Sequence, residues 1–357
     1  MINYVAHWDW ILTKSRGSIV ESLEDYEFRS ICPIDNKTAL SKYYKDSIDW
    51  EINRTKSFGL NGIFKLIKIL RTLEDNSIIH VFTLKSGLIY IISKLFVKKD
   101  FKAILSITGL GYIFSKKFLA KMLKTFLKPV FYLCINKIYD VIIFQNIDDK
   151  NTFLEYSRYK NKTELIESSG IDIEKYVLKN NFNNTLRVIF ASRLLKDKGI
   201  NEYIELAKSL KGDDIEFFIA GDIDLGNPES LNERELEELK KSNFISYLGF
   251  IDIEKEIHKY DVLVSLSAHE GFSRILLESS FVGLYIVSLE NNGTKFIAEL
   301  ENSELITSLQ ISSFMKVLEN LKEIDLELSS KNRDFIRSKY SSNEIAKKFK
   351  SIYETIQ

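Results

Sequence analysis

Cysteine is scarce: Cys32 and Cys134 are the only two in 357 residues. Their spacing fits no metal-ligand pattern, and two thiols cannot staple a disulfide scaffold, so a reducing compartment is expected. Fifteen glycines and three prolines exclude a collagen-like chain, and 45% hydrophobic against 28% charged residues exclude disorder. Long apolar runs are missing. The longest stretch without a charged side chain, 103–115, has 13 residues, too few to cross a bilayer as a helix. The start shows no basic segment followed by an apolar run, so no secretory leader is expected and the cytoplasm is the expected address. Net charge is absent too, with fifty Lys and Arg against fifty Asp and Glu.

That balance hides an asymmetry. Residues 1–180 hold 28 Lys/Arg against 20 Asp/Glu, and the remainder holds 22 against 30. The excess concentrates between Lys85 and Lys137, where eleven lysines meet the single acid Asp100. A local basic field on a neutral chain points to an anionic surface or ligand at one place. Nucleic acid is not expected: the stretch carries no recognised binding motif, and the acidic second half would repel a duplex.

A chain this long exceeds what one core usually manages, so two domains are expected. Short apolar runs alternate with helical patterns from end to end. Strands are expected at 2–6, 28–32, 77–82, 103–107 and 139–144, then at 186–191, 216–220, 244–248, 262–266 and 285–288. Helical patterns lie between them, among them 64–73, 115–127, 199–210, 233–241 and 274–281. Buried strands alternating with helices describe parallel sheets covered on both faces. The expected class is α/β, with two doubly wound domains facing across a cleft and ligands at the carboxyl ends of the strands. The polar, Asn-rich stretch 175–184 marks the boundary, which gives domains at 1–178 and 185–340. A last helix, about 341–357, is expected to return to the first domain.

The second half carries the chemistry. In Val188-Ile-Phe-Ala-Ser-Arg193-Leu-Leu-Lys-Asp-Lys198-Gly199 an apolar strand ends, a loop presents Arg193 and Lys198, and a helix begins. Two cations at a strand's carboxyl end, beside a helix N-terminus, suit a diphosphate; a solvated basic loop has the same letters. The next motif is Ser267-Ala-His-Glu270-Gly271-Phe272-Ser273-Arg-Ile-Leu-Leu-Glu278, directly after the strand expected at 262–266. Ser273 can cap a helix through Leu276 and Leu277, with the amides of Gly271, Phe272 and Ser273 turned to a ligand. Glu270 then lies in the loop and Glu278 more than one turn inside the helix. One carboxylate can bind sugar hydroxyls while the other accepts both hydroxyls of a ribose. A turn residue and a surface carboxylate are the bland alternatives.

Glu270-x7-Glu278, the Arg193…Lys198-Gly199 loop and Tyr247-Leu-Gly-Phe250-Ile251 between them resemble the retaining glycosyltransferases of family 4, which have the GT-B fold of two Rossmann-like domains. The resemblance is strongest over about 186–300. Ala220-Gly-Asp222-Ile-Asp224-Leu-Gly226-Asn227-Pro228 resembles a narrower branch. That branch extends undecaprenyl-diphosphate-linked saccharides from UDP-hexoses or UDP-hexosamines in bacterial surface-polysaccharide assembly, such as O-antigen. The likeness implies that Arg193 and Lys198 neutralise the donor diphosphate and that Glu278 holds the ribose. It implies further that Glu270, with the amides of Gly271, Phe272 and Ser273, contacts the transferred sugar, and that Phe250 and Ile251 meet the base. Glu270, Arg193 and Lys198 form the implied catalytic group. No protein nucleophile is assigned, because retention in this family is usually ascribed to front-face attack. Three departures are visible: the family often has proline where Ser273 stands, another within Gly283-Leu284-Tyr285, and the glycine loop after the next strand reads Asn291-Asn-Gly293-Thr294 with little else of the family around it. Asp222-Ile-Asp224 spells the D-x-D metal pattern of the other large glycosyltransferase fold. With Arg193 and Lys198 as counter-charges, a metal-independent reaction without cofactor is expected, and no metal ligand is assigned.

The first half carries weaker landmarks of the same branch. His7, Arg16, Lys85 and Thr108 would lie at carboxyl ends of strands and bind the acceptor, with Lys85 and Arg16 on its diphosphate. His80 is expected in the core. Over 115–128, Lys117, Lys121, Lys124 and Lys128 cluster on one side of a helix, while Phe118 and Met122 belong to an apolar side. A core helix with lysines in water would show the same stripe. The all-positive polar face favours docking on an anionic inner-membrane surface, where a lipid-linked acceptor resides. A UDP-sugar epimerase on the same scaffold and an inactive nucleotide-sugar-binding scaffold are the competing functions.

Overall fold

The computed structural model describes residues 1–52, 60–111, 114, 118–210, 212, 214–321 and 325–356, with the side chains of 118–121 and 326 outside the description. Two compact units divide the chain: Met1–Gly170 together with Ser342–Gln357, and Ile171–Ser341. Each is built on one parallel sheet.

The first sheet contains β1 (Ile2–Val5), β2 (Phe28–Cys32), β3 (Asp46–Asp49), β4 (Ile78–Phe82), β5 (Lys102–Ile107), β6 (Val141–Phe144) and β7 (Lys162–Leu165), in the order β3-β2-β1-β4-β5-β6-β7. The second contains β8 (Leu186–Ala191), β9 (Ile215–Ala220), β10 (Ser246–Gly249), β11 (Val262–Ser265), β12 (Tyr285–Leu289) and β13 (Ser303–Ile306), in the order β10-β9-β8-β11-β12-β13. Both are doubly wound, and the order reverses between β1 and β4 in one and between β8 and β11 in the other. Central strands such as β4 and β6 are buried along their whole length, because helices cover both faces and leave no polar alternation. Three strands escape the sequence reading: β3, β7 and β13. All three are edges and mix acidic or basic residues into short half-exposed runs.

The division falls at Gly170/Ile171 rather than within 175–184. Tyr176 already packs edge-on against Phe281. The Lys179 ammonium sits 2.9 Å from Asp261 Oδ1, their side chains 2% and 0% exposed. Asn183 and the Arg187 amide also donate to the Asp261 carboxylate. The asparagine-rich stretch is therefore the first layer of the second unit, its polarity used to satisfy a buried acid.

The last helix, Ser342–Ile356, packs in the first unit, where Ile345, Phe349, Ile352 and Tyr353 share a core with Tyr4, Ile78 and Ile104. Tyr353 Oη lies 2.7 Å from Tyr4 Oη and 2.8 Å from His80 Nδ1, and His80 Nε2 lies 2.7 Å from Ser106 Oγ. Burial drives His80 well below the usual imidazole range, so it is neutral. The helix read at 115–127 is longer. It runs Phe118–Ile138, through Pro129, and buries Phe131 and Ile135 beyond the proline. Residues 115–117, Lys117 included, lie outside the described residues.

Replacing Lys179 by alanine strands the Asp261 carboxylate among buried groups. The variant is expected to lose about 3 kcal/mol of stability, since breaking one side of a buried pair costs far more than the pair contributes. Chemical denaturation measures this; an unchanged midpoint would remove the pair from the second unit's foundations.

Candidate functional site

Adjacent strands β8 and β11 deliver the charged residues of the second unit. After β8 the chain turns through Arg193 and a 3-10 turn, Lys196–Lys198, into the helix Ile200–Ser209. Gly199 joins turn to helix with φ +81°, and a Cβ there would lie 2.3 Å from Leu266 Cβ. The turn is zipped to the segment after β9: the Leu194 amide donates to Asp222 O (3.0 Å), and the amides of Leu231 and Lys196 donate to Leu194 O (2.9 Å) and Glu229 O (2.7 Å).

Each expected cation meets a carboxylate. Arg193 Nη1 is 2.6 Å from Asp224 Oδ2, with the arginine side chain 47% exposed and the aspartate 6%. Lys198 Nζ is 2.7 Å from Glu270 Oε1, both largely enclosed. Asp224 is itself held: its amide donates to Ser230 Oγ (2.9 Å), and Asn227 Nδ2 donates to Oδ2 (3.3 Å). The D-x-D letters thus supply an arginine's partner. Asp222 accepts from its neighbour Ile223's amide and from Tyr247 Oη. Among the described residues no group of three or more His, Cys, Asp or Glu is placed to hold a metal ion.

The Glu270 loop is propped from behind by the turn after β12. Asn291 Nδ2 donates to Ser267 O (2.9 Å), and a Cβ on Gly293 would lie 2.6 Å from the Glu270 carbonyl. Here two expectations are corrected. The Ser273 amide donates to Gly293 O (3.0 Å) instead of facing a ligand, and the Ser273 side chain makes no cap hydrogen bond to its helix, Arg274–Val282. Closing the loop against Gly293 consumes that amide. Phe272 stacks on Phe296 at 4.3 Å.

Glu278 is buried on the same helix, and its Oε1 accepts from Tyr176 Oη and Arg274 Nε, both at 2.6 Å. Desolvation, then the adjacent carboxylate, holds the Tyr176 phenol well above its ordinary value. Phe250, just past β10, is 77% exposed, and Ile251 is half-buried beside the core that contains Phe281. Asp224, Asn291, Gly293, Tyr176 and Arg274 escaped the sequence reading as site residues. Asp224 lay in the D-x-D letters and Arg274 in the Glu270–Glu278 run without being assigned to the site, and the Asn291-Asn-Gly293 run offered its turn chemistry.

In the first unit, β1, β4 and β5 are neighbours and bring their carboxyl ends together. His7 Nδ1 lies 3.1 Å from Ser86 Oγ and 3.0 Å from Thr83 Oγ1, and the His7 amide donates to Ser86 Oγ. Thr83 has φ +76°, a strained conformation for a β-branched residue. Lys85 follows it in the helix Leu84–Lys94, and half-buried Thr108 follows β5. Arg16 does not join them. It is 2% exposed, with its guanidinium over Phe82 (4.9 Å) and Phe349 (5.7 Å), which corrects its expected place on a ligand-facing strand end. A flat, weakly hydrated cation suits that aromatic sandwich.

On the helix Phe118–Ile138, Met122 (44%) and Phe126 (73%) are exposed, as is Lys128. Lys124 turns inward: its ammonium sits over Phe114 (4.4 Å) and Tyr156 (5.2 Å), a correction to its expected place on an open basic face. The side chains of Phe118 and Lys121 lie outside the described residues.

Residues 172–340, nearly the whole second unit, match the family of glycosyl transferases group 1. The second unit is thus similar to the group 1 glycosyl transferases. Over 206 residues the chain is 24% identical to the capsular polysaccharide biosynthesis glycosyltransferase CapM of Staphylococcus aureus, covering 53% of each, so it spans about half the length of that relative. It superposes on the crystal structure of Anabaena Alr3699/HepE in complex with UDP and glucose with a TM-score of 0.77 at 16% identity, covering 99% of both chains. Sucrose-phosphate synthase from Thermosynechococcus elongatus gives 0.78 at 14% identity over 99% of this chain and 98% of that one. The fold is α/β GT-B, with one Rossmann-like domain in each unit.

Gly199 links the lysine turn of the second unit to its helix. Gly199→Ala is expected to cost about 2 kcal/mol or more through overpacking on Leu266 and the left-handed backbone. Gly212→Ala, where among the described residues only Leu210 O comes as near as 4.0 Å, serves as the control. Equal melting temperatures for the two variants would contradict the packing described here.

Proposed function

We propose that this protein is a retaining glycosyltransferase of bacterial surface-polysaccharide synthesis. It moves a hexose or N-acetylhexosamine from a UDP-sugar to a polyprenyl-diphosphate-linked saccharide. The observation that carries the reading is the pair Arg193 and Lys198, each steadied by a carboxylate at the mouth of β8 and β11. The group 1 match over the same residues supports it.

The chemistry follows from where charge develops. Cleaving a glycosyl–diphosphate bond leaves negative charge on the departing phosphate. Fixed cations at that place stabilise the transition state more than the ground state. Arg193 presents a planar fork to two phosphate oxygens, and Lys198 a compact point charge. Glu270, 2.7 Å from Lys198, orients that ammonium and accepts from hydroxyls of the transferred sugar. Glu278 binds the ribose, and Phe250 with Ile251 borders the base. The acceptor hydroxyl attacks on the face the leaving group vacates, and the leaving phosphate takes its proton, so neither a protein nucleophile nor a metal is invoked. His7, Lys85 and Thr108 form the acceptor side.

Exposed Met122 and Phe126, with exposed Lys128 elsewhere on the same helix, support docking on an anionic bilayer. There apolar side chains enter the interface and each nearby lysine adds about 1 kcal/mol. Replacing Met122 and Phe126 by aspartate and Lys128 by glutamate is expected to release the protein from anionic liposomes; unchanged co-sedimentation would refute this surface.

The deciding experiment screens UDP-sugars against short lipid-diphosphate-linked acceptors and reads products by mass. One donor–acceptor pair is expected to give a product one sugar heavier. Arg193→Ala or Lys198→Ala is expected to lower kcat/KM by about 100-fold or more. An epimerised sugar formed without acceptor would favour a UDP-sugar epimerase, and binding without any turnover an inactive scaffold.

A further inference from the structure

We propose that Tyr176 is a positioning residue for nucleotide recognition: together with Arg274 it anchors one oxygen of the Glu278 carboxylate and thereby aims the other at the ribose of the donor. This rests on the reading of the donor as a UDP-sugar given above.

Two donors converge on a single atom. Tyr176 Oη and Arg274 Nε each lie 2.6 Å from Glu278 Oε1, while Oε2 has no hydrogen bond to any described residue. Short bonds to an ionised oxygen are the strong class, and two of them from different directions fix both the position of the carboxyl group and its plane. The Glu278 side chain is 10% exposed, so it is enclosed but not sealed. A ribose presents two neighbouring hydroxyl donors, and a carboxylate oxygen already held in place meets them without first losing its own rotational freedom. The phenol, held well above its usual range by burial and then by Glu278, remains a donor at any working pH.

The clamp comes from a distant part of the chain. Tyr176 follows the short turn Ile173–Lys175 near the start of the second unit, 102 residues before Glu278. Its ring packs edge-on against Phe281, on the same helix as Glu278, and the next amide, Val177, donates to Glu254 O (3.1 Å). The segment that opens the domain thus holds a residue of the nucleotide site, and its hydroxyl does work that ring packing alone does not require.

Tyr176→Phe keeps the ring and deletes the hydroxyl. Calorimetric titration with UDP and with 2′,3′-dideoxy-UDP separates positioning from packing. The wild-type protein is expected to prefer UDP. In Tyr176→Phe the affinity for UDP is expected to fall about tenfold, the loss of one hydrogen bond to a charged group, with dideoxy-UDP affinity unchanged. Arg274→Lys, which removes the Nε donor and keeps the charge, is expected to lose the same preference, and it gives a second readout should Tyr176→Phe fold poorly. Equal weakening of both nucleotides, or a wild-type preference retained in both variants, would overturn the inference. If Glu278→Gln abolishes the preference while Tyr176→Phe keeps it, the positioning role fails and the donor reading stands. If the wild-type protein binds no UDP, both fall.

Discussion

An ammonium and a carboxylate 2.7 Å apart, Lys198 and Glu270, join the end of β8 to the end of β11. Most of the site's local structure can be read as support for that contact. On the lysine side, Gly199 lets the turn close against Leu266 and start a helix at once. On the glutamate side, Asn291 and Gly293 leave the loop no room to relax away from the lysine. The pair occurs at the reversal of strand order, where the chain departs to opposite faces of the sheet and leaves a gap that helices do not fill. The fold supplies the opening, and this contact sets which charges border it.

The same order reversal exists in the first sheet, between β1 and β4, and it collects a different chemistry. There His7, Thr83 and Ser86 are linked by hydrogen bonds of 3.0 to 3.1 Å, with Lys85 next along the helix. The nearby arginine is withdrawn into an aromatic core and carries no charge to the surface. A diphosphate asks for the second unit's arrangement, and a sugar hydroxyl is better served by the first. The division of labour proposed for the two units follows from that contrast.

How much of this was legible in the letters depends on how local the controlling contacts are. β2 and β8 were read to the residue, because a central parallel strand is an apolar run bounded by turn residues on both sides. β3, β7 and β13 were not, since an edge strand is defined by pairing with one neighbour and its sequence resembles a loop. Arg193, Lys198, Glu270 and Glu278 stood out because each belongs to a motif within a dozen residues of its strand end. Tyr176 did not, and Asp224 stood out only as part of a D-x-D pattern and not as the partner of Arg193, because the groups they hold are 102 and 31 residues away. The boundary was set too late for a related reason: Lys179 and Asn183 look like linker residues until Asp261, about eighty positions on, is found beneath them. Arg16 was misplaced because nothing local distinguishes a buried arginine stacked on rings from one that meets a ligand.

Three ion pairs at the candidate site differ in how readily they would yield to an anionic ligand, and exposure decides the order. Arg193 is 47% exposed against an aspartate that is 6% exposed and fixed by Ser230 and Asn227. A pair open to water on the cation's side contributes at most about 1 kcal/mol, so redirecting the guanidinium to phosphate oxygens costs little. Lys198 and Glu270 are 15% and 21% exposed, which makes their attraction less screened and the lysine harder to withdraw. Arg274 and Glu278 are bound more tightly still, by geometry as well as charge. On the proposed reading, an incoming diphosphate would meet one cation whose partner is easily exchanged and a second held more firmly, and the Arg274–Glu278 contact would be left untouched. In that proposed role the exposed Arg193 would suit entry and departure of the ligand, and the enclosed Lys198 a fixed field at the bond that breaks.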